Sequence, residues 1–139
     1  MPLTPVKFSD SGTLKEGESI AFTGFPIGTV LGLYPVTHRG TVSAITPIVI
    51  PAATTRTLDA KSISRMRTPY TVFQLDGTAY PGNSGSPMYD LDTGAVYGII
   101  NMVFVKGTKE NALTEPSGIS YAIPANYIRD MISKAGLKP

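Results

Sequence analysis

The chain has 139 residues, which is the length of one domain and enough to bury a single hydrophobic core without covalent cross-links. Its 12 basic and 10 acidic residues leave a net charge of +2, too small to indicate nucleic acid or a membrane surface as a partner. It has no cysteine and one histidine, so disulfides are excluded and no zinc or calcium site is expected. We therefore predict a single domain, residues 1–139, that needs no cofactor.

The sequence also carries no signal for a membrane or for secretion. Its longest apolar run, Ala95–Val105, is far too short to span a bilayer and contains Gly98 and Asn101. The N-terminus, MPLTPVKFSDSG, has no basic region followed by an apolar one, so it does not look like a secretory signal. A signal removed upstream of Met1 would leave the same sequence, so both a cytoplasmic and an exported protein are compatible with it.

Alternating apolar and polar residues, interrupted by 14 glycines and 12 prolines, predict a β-rich fold with frequent turns. The six strand-like runs are Ser19–Gly24, Thr37–Thr46, Tyr70–Leu75, Ser86–Tyr89, Val96–Val105 and Gly118–Ile123. A hairpin loop is predicted over Asp90–Gly94, with Gly94 supplying a positive φ. Residues 51–67 form the one long polar connection.

The last segment has the period of a helix instead. Between Ala125 and Ala135 the apolar residues fall on one helical stripe, with Asn126 available as N-cap and Gly136 as the stop. Six strands followed by one helix predict an all-β fold, a closed six-stranded antiparallel β-barrel with a C-terminal α-helix at about 125–135.

The stretch Ala79–Pro87, AYPGNSGSP, is the candidate for chemistry. A serine becomes a nucleophile when a base takes its proton, and the oxyanion formed by its attack must be held by backbone N–H groups. Gly82 allows the tight turn that presents the Gly82 and Ser84 amides, and Gly85 leaves the serine uncrowded. Taken alone, such a string is more often an ordinary hairpin loop.

Other stretches in a fixed order give the string more weight. They are EGESIAFTGFPIG at 16–28, GTVSA at 40–44, FQLD at 73–76, PGNSGSP at 81–87, VYGIIN at 96–101 and GISYAIP at 118–124. In this order the chain resembles the trypsin-like (chymotrypsin-fold) serine proteases, especially their bacterial HtrA-like and glutamyl-endopeptidase-like branches. The matches run from about Leu14 to Ala135, which is nearly the whole chain.

The resemblance implies half of an enzyme. These proteases place the active site between two β-barrels, with the histidine and aspartate on the first and the serine and oxyanion hole on the second. The chain looks like the second barrel, so Ser84 is expected to be the nucleophile and Gly82, Asn83 and Ser84 the oxyanion hole. His38 lies just before the GTVSA strand, where the family has no catalytic histidine, and we expect it to be a surface or strand-end residue.

Two further positions allow interpretation through the resemblance. Asn83 stands where zymogen-activated members have an aspartate, so activation by an ion pair to a freed amino terminus is not available here. The plainer alternative is that Asn83 only satisfies nearby backbone groups. Asp76 matches an acidic position of HtrA-like sequences, and a structural or pocket-wall role and a solvated turn before Gly77 are equally compatible with it.

The resemblance also places the pocket for the substrate side chain that precedes the scissile bond. Its predicted walls are Thr78, Tyr80, Pro81, Asn101, Met102, Val103 and Gly118. No acidic residue occupies the trypsin position, so a preference for Arg or Lys is not supported. Val103 replaces a common glycine and would favour a small or aliphatic side chain, although Met102 and Val103 are equally compatible with ordinary barrel positions.

Two functions remain open at this point. The first is the nucleophile-bearing half of a serine endopeptidase, inactive alone, whose partners are a polypeptide substrate and an N-terminal barrel that carries the histidine and aspartate. The second is a complete, non-catalytic barrel that binds peptides along a strand edge. In the first case the uncovered barrel face is apolar and can drive homodimers. The family suggests a periplasmic or secreted protein.

Overall fold

Six strands make up most of the computed structural model, which describes residues 2–48, 70–101 and 119–138. In those ranges the strands are β1 (Ser19–Gly24), β2 (Val36–Ile48), β3 (Tyr70–Asp76), β4 (Pro87–Tyr89), β5 (Val96–Asn101) and β6 (Ile119–Pro124). The helical elements are a 3₁₀ turn at Ser11–Thr13, a short helix α1 (Gly28–Leu31) and the C-terminal helix α2 (Ala125–Lys134). No helix of the described ranges is long and apolar enough to cross a membrane.

The strands close into an antiparallel barrel in the order β1-β2-β3-β6-β5-β4, with β4 pairing back to β1. In the described ranges each of the six strands therefore pairs with a neighbour on both sides. The register of β2 against β3 shifts between Val42 and Ala44, which marks a β-bulge. The predicted fold, an all-β six-stranded barrel with a C-terminal helix, is confirmed.

The barrel interior is filled by side chains that alternate along the strands. On β1, Ile20 and Phe22 point inward and are fully buried, while Ser19 is exposed. Partners from the other strands complete the core, namely Val42, Phe73, Leu75, Met88, Ile100 and Ala122. Because β1 and β3 each supply two large apolar side chains spaced two residues apart, the pattern that predicted these strands also determines much of what the core contains.

The six predicted strands are present, with small differences at their ends. β2 begins one residue earlier and ends later than predicted, and Ser86 belongs to the turn before β4. Of β5 and β6, the predicted ends at residues 102–105 and 118 lie outside the described residues, as does the connection at 51–67. The loop at Asp90–Gly94 is confirmed. Gly94 has φ +71°, and the Asp90 carboxylate accepts hydrogen bonds from the amides of Asp92 and Thr93.

Helix α2 ends as predicted but begins differently. At its C-terminus Gly136 has φ +73° and donates its amide to Ser133, while the amide of Leu137 reaches back to Ile132, the pattern of a Schellman motif. At its N-terminus Pro124 is the cap residue and makes no side-chain hydrogen bond, and the Ser11 hydroxyl accepts from the Asn126 amide at 3.0 Å. The predicted N-cap at Asn126 is therefore wrong, because Asn126 lies inside the first turn and its side chain is bonded elsewhere.

The side chain of Asn126 fastens the start of the chain to α2. Its Oδ1 accepts from the Ser11 amide at 3.2 Å, and its Nδ2 donates to the Asp10 carboxylate at 2.9 Å. This bond from Asn126 and one from the Gly12 amide lower the pKa of Asp10. Nearby, the Val96 amide donates to the Lys7 carbonyl and the Ser9 amide donates to the Val96 carbonyl, which forms a short parallel β-bridge. The sequence patterns did not predict this docking.

Large apolar side chains remain exposed on the connection between β1 and β2. They are Phe25, Val30, Leu33, Tyr34 and Val36. Apolar side chains exposed together in one segment are typical of surfaces that contact another protein. Whether it belongs to a face that packs on a second barrel stays a prediction.

Candidate active site

The turn that carries Ser84 is held rigidly by backbone hydrogen bonds to its neighbours. Within the turn, the Asn83 amide donates to the Tyr80 carbonyl and the Ser86 amide to the Asn83 carbonyl, each at 3.0 Å. The amide of Gly85 donates to Ile100 on β5 at 2.8 Å, and the Ile100 amide returns a bond to Ser86 at 2.9 Å. Ser84 itself is exposed, so the turn presents this serine to solvent on a fixed frame.

Two backbone N–H groups beside the serine are free to bind an anion. In residues 2–48, 70–101 and 119–138, neither the Gly82 amide nor the Ser84 amide donates a hydrogen bond, and the Ser84 hydroxyl has no partner. The amide between them, that of Asn83, is already bonded to Tyr80. An unbonded pair of amides next to an exposed hydroxyl has the donors that an oxyanion requires. Of the predicted oxyanion residues, Asn83 therefore contributes no amide.

The conformation depends on glycine at position 82. Gly82 has φ +100°, and a Cβ built there would collide with the carbonyl oxygen of Phe25. A hydrogen bond of 2.8 Å from the Ile27 amide to the Pro81 carbonyl also holds these two segments together. The stretch Gly24–Gly28, GFPIG, thus packs directly beneath the serine turn. Two stretches that are about sixty residues apart in sequence, and that both resemble the protease family, meet at this one place.

Asn83 is fully buried under the turn, and its side chain has an unusual surrounding. Neither Nδ2 nor Oδ1 has a hydrogen-bond partner in the part of the chain that the structure describes. A Cβ built on Gly24 would lie 2.7 Å from Oδ1 and would collide with the Ser86 hydroxyl. The side chain therefore does not satisfy nearby backbone groups, which was the plainer interpretation of Asn83. A buried amide without hydrogen-bond partners lowers the stability of the folded state, and such groups are rare in native proteins.

The predicted pocket residues are only partly visible. Thr78, Tyr80 and Pro81 precede the serine turn and are half-buried, and Asn101 is exposed at the end of β5. The predictions for Met102, Val103 and Gly118 lie outside the described residues. Asp76 is exposed at the end of β3, which favours the solvated-turn interpretation over a pocket wall.

Ser120 is a buried residue near the site that the sequence patterns did not predict. It is fully buried on β6, and its hydroxyl donates to the Gly77 carbonyl at 2.6 Å. This bond fixes the start of the segment that leads through Thr78 to Ser84. A buried hydroxyl needs a hydrogen-bond partner, so a serine within the largely apolar run ISYAIP indicates such a contact.

His38 faces the barrel interior near the serine turn. It pairs with Phe22 across β1 and β2, and the two rings stack with centroids 5.1 Å apart. The Tyr80 ring is tilted by 40° to the His38 ring, with the two centroids 6.1 Å apart. Burial lowers the pKa of His38, and its Nε2 atom has no hydrogen-bond partner among the described residues. His38 is thus near a strand end, as predicted, but it points inward, and no hydrogen bond joins it to Ser84.

The described residues hold no group of three or more histidine, aspartate or glutamate side chains that could bind a metal. A shallow concavity at the opposite end of β1 and β4 is lined by Glu18, Ser19, Arg39, Asp90, Leu91 and Asp92. It does not include Ser84. The serine turn is therefore the candidate site.

Comparison with known proteins agrees with this geometry. The model of the trypsin-like peptidase domain family matches residues 1–99, a range that includes the serine turn. The chain belongs to the trypsin-like peptidase family. Its relatives include the serine protease Do-like HtrA of Bacillus subtilis, 30% identical over 135 residues, and that of Lactococcus lactis strain MG1363, 28% identical over 127 residues. The matches cover 94% and 91% of this chain, but only 26% and 28% of those proteases.

Solved structures show the same fold. The Rv3671c protease of M. tuberculosis, in its active form, superimposes with a TM-score of 0.66 at 15% identity, covering 99% of this chain and 51% of that one. AlgW, an HtrA-type protease solved with a tripeptide, superimposes with a TM-score of 0.59 at 23% identity. The match covers 95% of this chain and 36% of that one. This trypsin-like chain therefore corresponds to about half or less of each peptidase that it matches.

The Gly82 contact gives a first testable prediction. Gly82→Ala is expected to lower the free energy of unfolding by roughly 2 kcal/mol or more, because the new methyl group combines an unfavourable φ with a backbone collision. Gly85→Ala is the matched control: Gly85 has φ +87° but nothing within 4 Å of its Cβ position, so strain alone should cost about 1 kcal/mol. Urea unfolding followed by circular dichroism measures both. Equal costs for the two variants would contradict the packing of GFPIG against Gly82.

Proposed function

We propose that this chain is the nucleophile-bearing barrel of a serine endopeptidase. The Ser84 oxygen attacks the carbonyl carbon of a peptide bond while a base takes the hydroxyl proton, and the same proton then passes to the leaving amine. The resulting ester on Ser84 is hydrolysed by water, which restores the serine. The observation that carries the proposal is an exposed Ser84 on a rigid turn, flanked by Gly82 and Ser84 amides that are bonded to nothing in the described residues.

The base and its orienting carboxylate are proposed to come from a second barrel. His38 is held by contacts to Phe22 and Tyr80, and no hydrogen bond connects it to Ser84, so it does not suit the role of general base. The family resemblance places the catalytic histidine and aspartate on an N-terminal barrel. Alone, this chain is expected to have no appreciable peptidase activity, because an isolated serine hydroxyl is a poor nucleophile.

The substrate is proposed to be an extended polypeptide. The similarity to AlgW, which was solved with a tripeptide, supports peptide as the ligand class. Thr78, Tyr80 and Pro81 precede the nucleophile and line one side of the proposed pocket, with Asn101 at the end of β5. Met102, Val103 and Gly118 complete the proposed walls. A valine at position 103 is expected to favour small or aliphatic side chains before the scissile bond.

The test compares two proteins with a fluorophosphonate, which forms a covalent bond with activated serines. One is this chain alone, and the other is the polypeptide obtained by extending the reading frame of the source DNA upstream of Met1. If the extension carries a barrel with a histidine and an aspartate, we expect labelling of the longer protein at Ser84, located by peptide mass, and none of the chain alone. Ser19→Ala is the matched control, since this exposed serine lies at the other end of β1.

Three outcomes would overturn the proposal. An in-frame stop close to Met1, with no barrel upstream, would leave Ser84 without a base and would favour the alternative of a complete peptide-binding barrel. Labelling of the chain alone at a rate typical of serine proteases would show that a base lies within it. In the longer protein, labelling that survives Ser84→Ala would assign the nucleophile elsewhere.

A further inference from the structure

Two residues that neighbour Tyr80 in the candidate pocket carry buried side-chain polar atoms without a hydrogen-bond partner among the described residues. In the described ranges these atoms are Nε2 of His38 and both side-chain polar atoms of Asn83. The His38 ring lies against the ring of Tyr80, and the backbone of Asn83 donates to the Tyr80 carbonyl at 3.0 Å. Tyr80 therefore lies near His38 through its ring and is bonded to the serine turn through its backbone carbonyl.

We propose that His38 is a positioning residue whose neutral imidazole supports Tyr80 from inside the barrel, and through Tyr80 fixes the Gly82–Ser84 turn. Protonation of His38 then loosens the turn. The inference rests on the proposed function, because the conformation of the turn matters for catalysis only if the Gly82 and Ser84 amides bind an oxyanion. His38 itself is not expected to touch the substrate.

The surroundings of the imidazole suit its neutral form. One face stacks on Phe22, which is completely buried, at an angle of 20° between the rings. A proton would place a charge beside the Phe22 and Tyr80 rings, where Nε2 has no acceptor among the described residues. Burial lowers the pKa of His38, which favours the neutral imidazole. Protonation is therefore expected to push the ring away from Phe22 and Tyr80.

No neighbouring charge is needed to explain this preference. β1 contains no titratable residue, and in the segment 77–82 Tyr80 is the single titratable group. On β2, Arg39 follows His38 and points to the other face of the sheet, and on β3 Asp76 is exposed and Tyr70 lies at the far end. Burial is the one cause that lowers the pKa of His38. The expected pH response thus belongs to His38 and not to an ion pair.

The sign of the pH effect follows from this direction. Because the folded-state pKa of His38 lies below the ordinary value of about 6.5, the unfolded chain takes up a proton first as the pH falls. The stabilisation by neutral His38 is complete above that ordinary value and is lost as the pH falls through the lowered pKa. The turn is therefore expected to be ordered at neutral pH and to loosen under mild acid.

Nuclear magnetic resonance can test the coupling without any substrate. Since the chain has a single histidine, its ring resonance reports His38 directly between pH 8 and 5. We expect a midpoint below about 6.5, and we expect the Tyr80 ring and the Gly82 and Ser84 amides to shift with the same midpoint. In His38→Phe, which keeps a ring but cannot titrate, these shifts should disappear. Arg39→Gln, next to His38 on the opposite face, should leave them unchanged.

Tyr80→Leu provides a second, independent test if His38→Phe fails to fold. It removes the ring between His38 and the turn, so His38 should still titrate while the Gly82 and Ser84 amides stop following it. Amides that follow His38 in this variant, or that ignore it in the unchanged chain, would overturn the inference. Since Ser84 labelling is a separate measurement, a reactive Ser84 with amides that ignore His38 would reject this inference and leave the proposed function standing.

Discussion

Ser84→Ala is expected to lower kcat/KM of the proposed two-barrel peptidase by roughly 10⁴-fold or more. The reason is that the variant removes the atom that forms the covalent intermediate, while the Gly82 and Ser84 amides remain to bind the oxyanion. Some activity above the uncatalysed reaction should therefore persist, as it does when an oxyanion hole and substrate binding act alone. The measurement is steady-state hydrolysis of a fluorogenic peptide with a small or aliphatic residue before the scissile bond.

The pattern of the two kinetic constants makes this prediction specific. KM should change little, because Ser84 is exposed and no contact among the described residues depends on its hydroxyl. Ser19→Ala should match the unchanged enzyme in both constants. A loss of activity in Ser84→Ala that appeared mainly in KM would indicate a role in binding and would contradict the assignment of Ser84 as nucleophile.

Phe22→Ala is expected to cost about 3 to 5 kcal/mol of folding free energy, the range for removing a buried aromatic side chain. Phe22 has no exposed surface, faces the barrel core from β1 and stacks on His38. Its loss would leave a cavity that a closed barrel cannot easily collapse to fill. Because a small domain is stable by only about 5 to 15 kcal/mol, this one change would remove a large share of the total.

The control for Phe22→Ala is Phe25→Ala, three residues along the chain. Phe25 is 47% exposed, so its truncation should cost less than about 1 kcal/mol. The chain has no tryptophan, so urea unfolding is best followed by far-ultraviolet circular dichroism or tyrosine fluorescence. If the two variants unfolded at the same urea concentration, Phe22 could not be a central core residue.

The sequence was sufficient to predict the strands and the character of the serine turn. Alternation placed all six strands because each half-buried strand must repeat its apolar residues with a period of two. The glycines around Ser84 predicted a tight turn, and Gly82 and Gly85 do take positive φ values. Gly136 likewise stops α2, because its left-handed conformation needs no partner from elsewhere in the fold.

Features that depend on contacts between distant segments could not be predicted in this way. The position of His38 under Tyr80 requires both the register of β1 against β2 and the path of the 77–82 segment. The collision that makes Gly82 necessary involves Phe25, which belongs to a different turn. Asn126 had the composition of an N-cap, but Ser11 and Asp10 compete for its side chain, and no local pattern reveals that competition.

Barrel closure also has a consequence for how the chain folds during synthesis. The second edge of β1 stays unpaired until β4 has been synthesised. The hydrogen bond between the Ser11 amide and the Asn126 side chain joins residues that are 115 positions apart in sequence. Folds dominated by such non-local contacts typically fold in milliseconds to seconds, because the intervening loops must close first. Until β6 leaves the ribosome and pairs with β3 and β5, the nascent chain therefore exposes unpaired strand edges and core side chains, and this interval is when it most needs protection by chaperones.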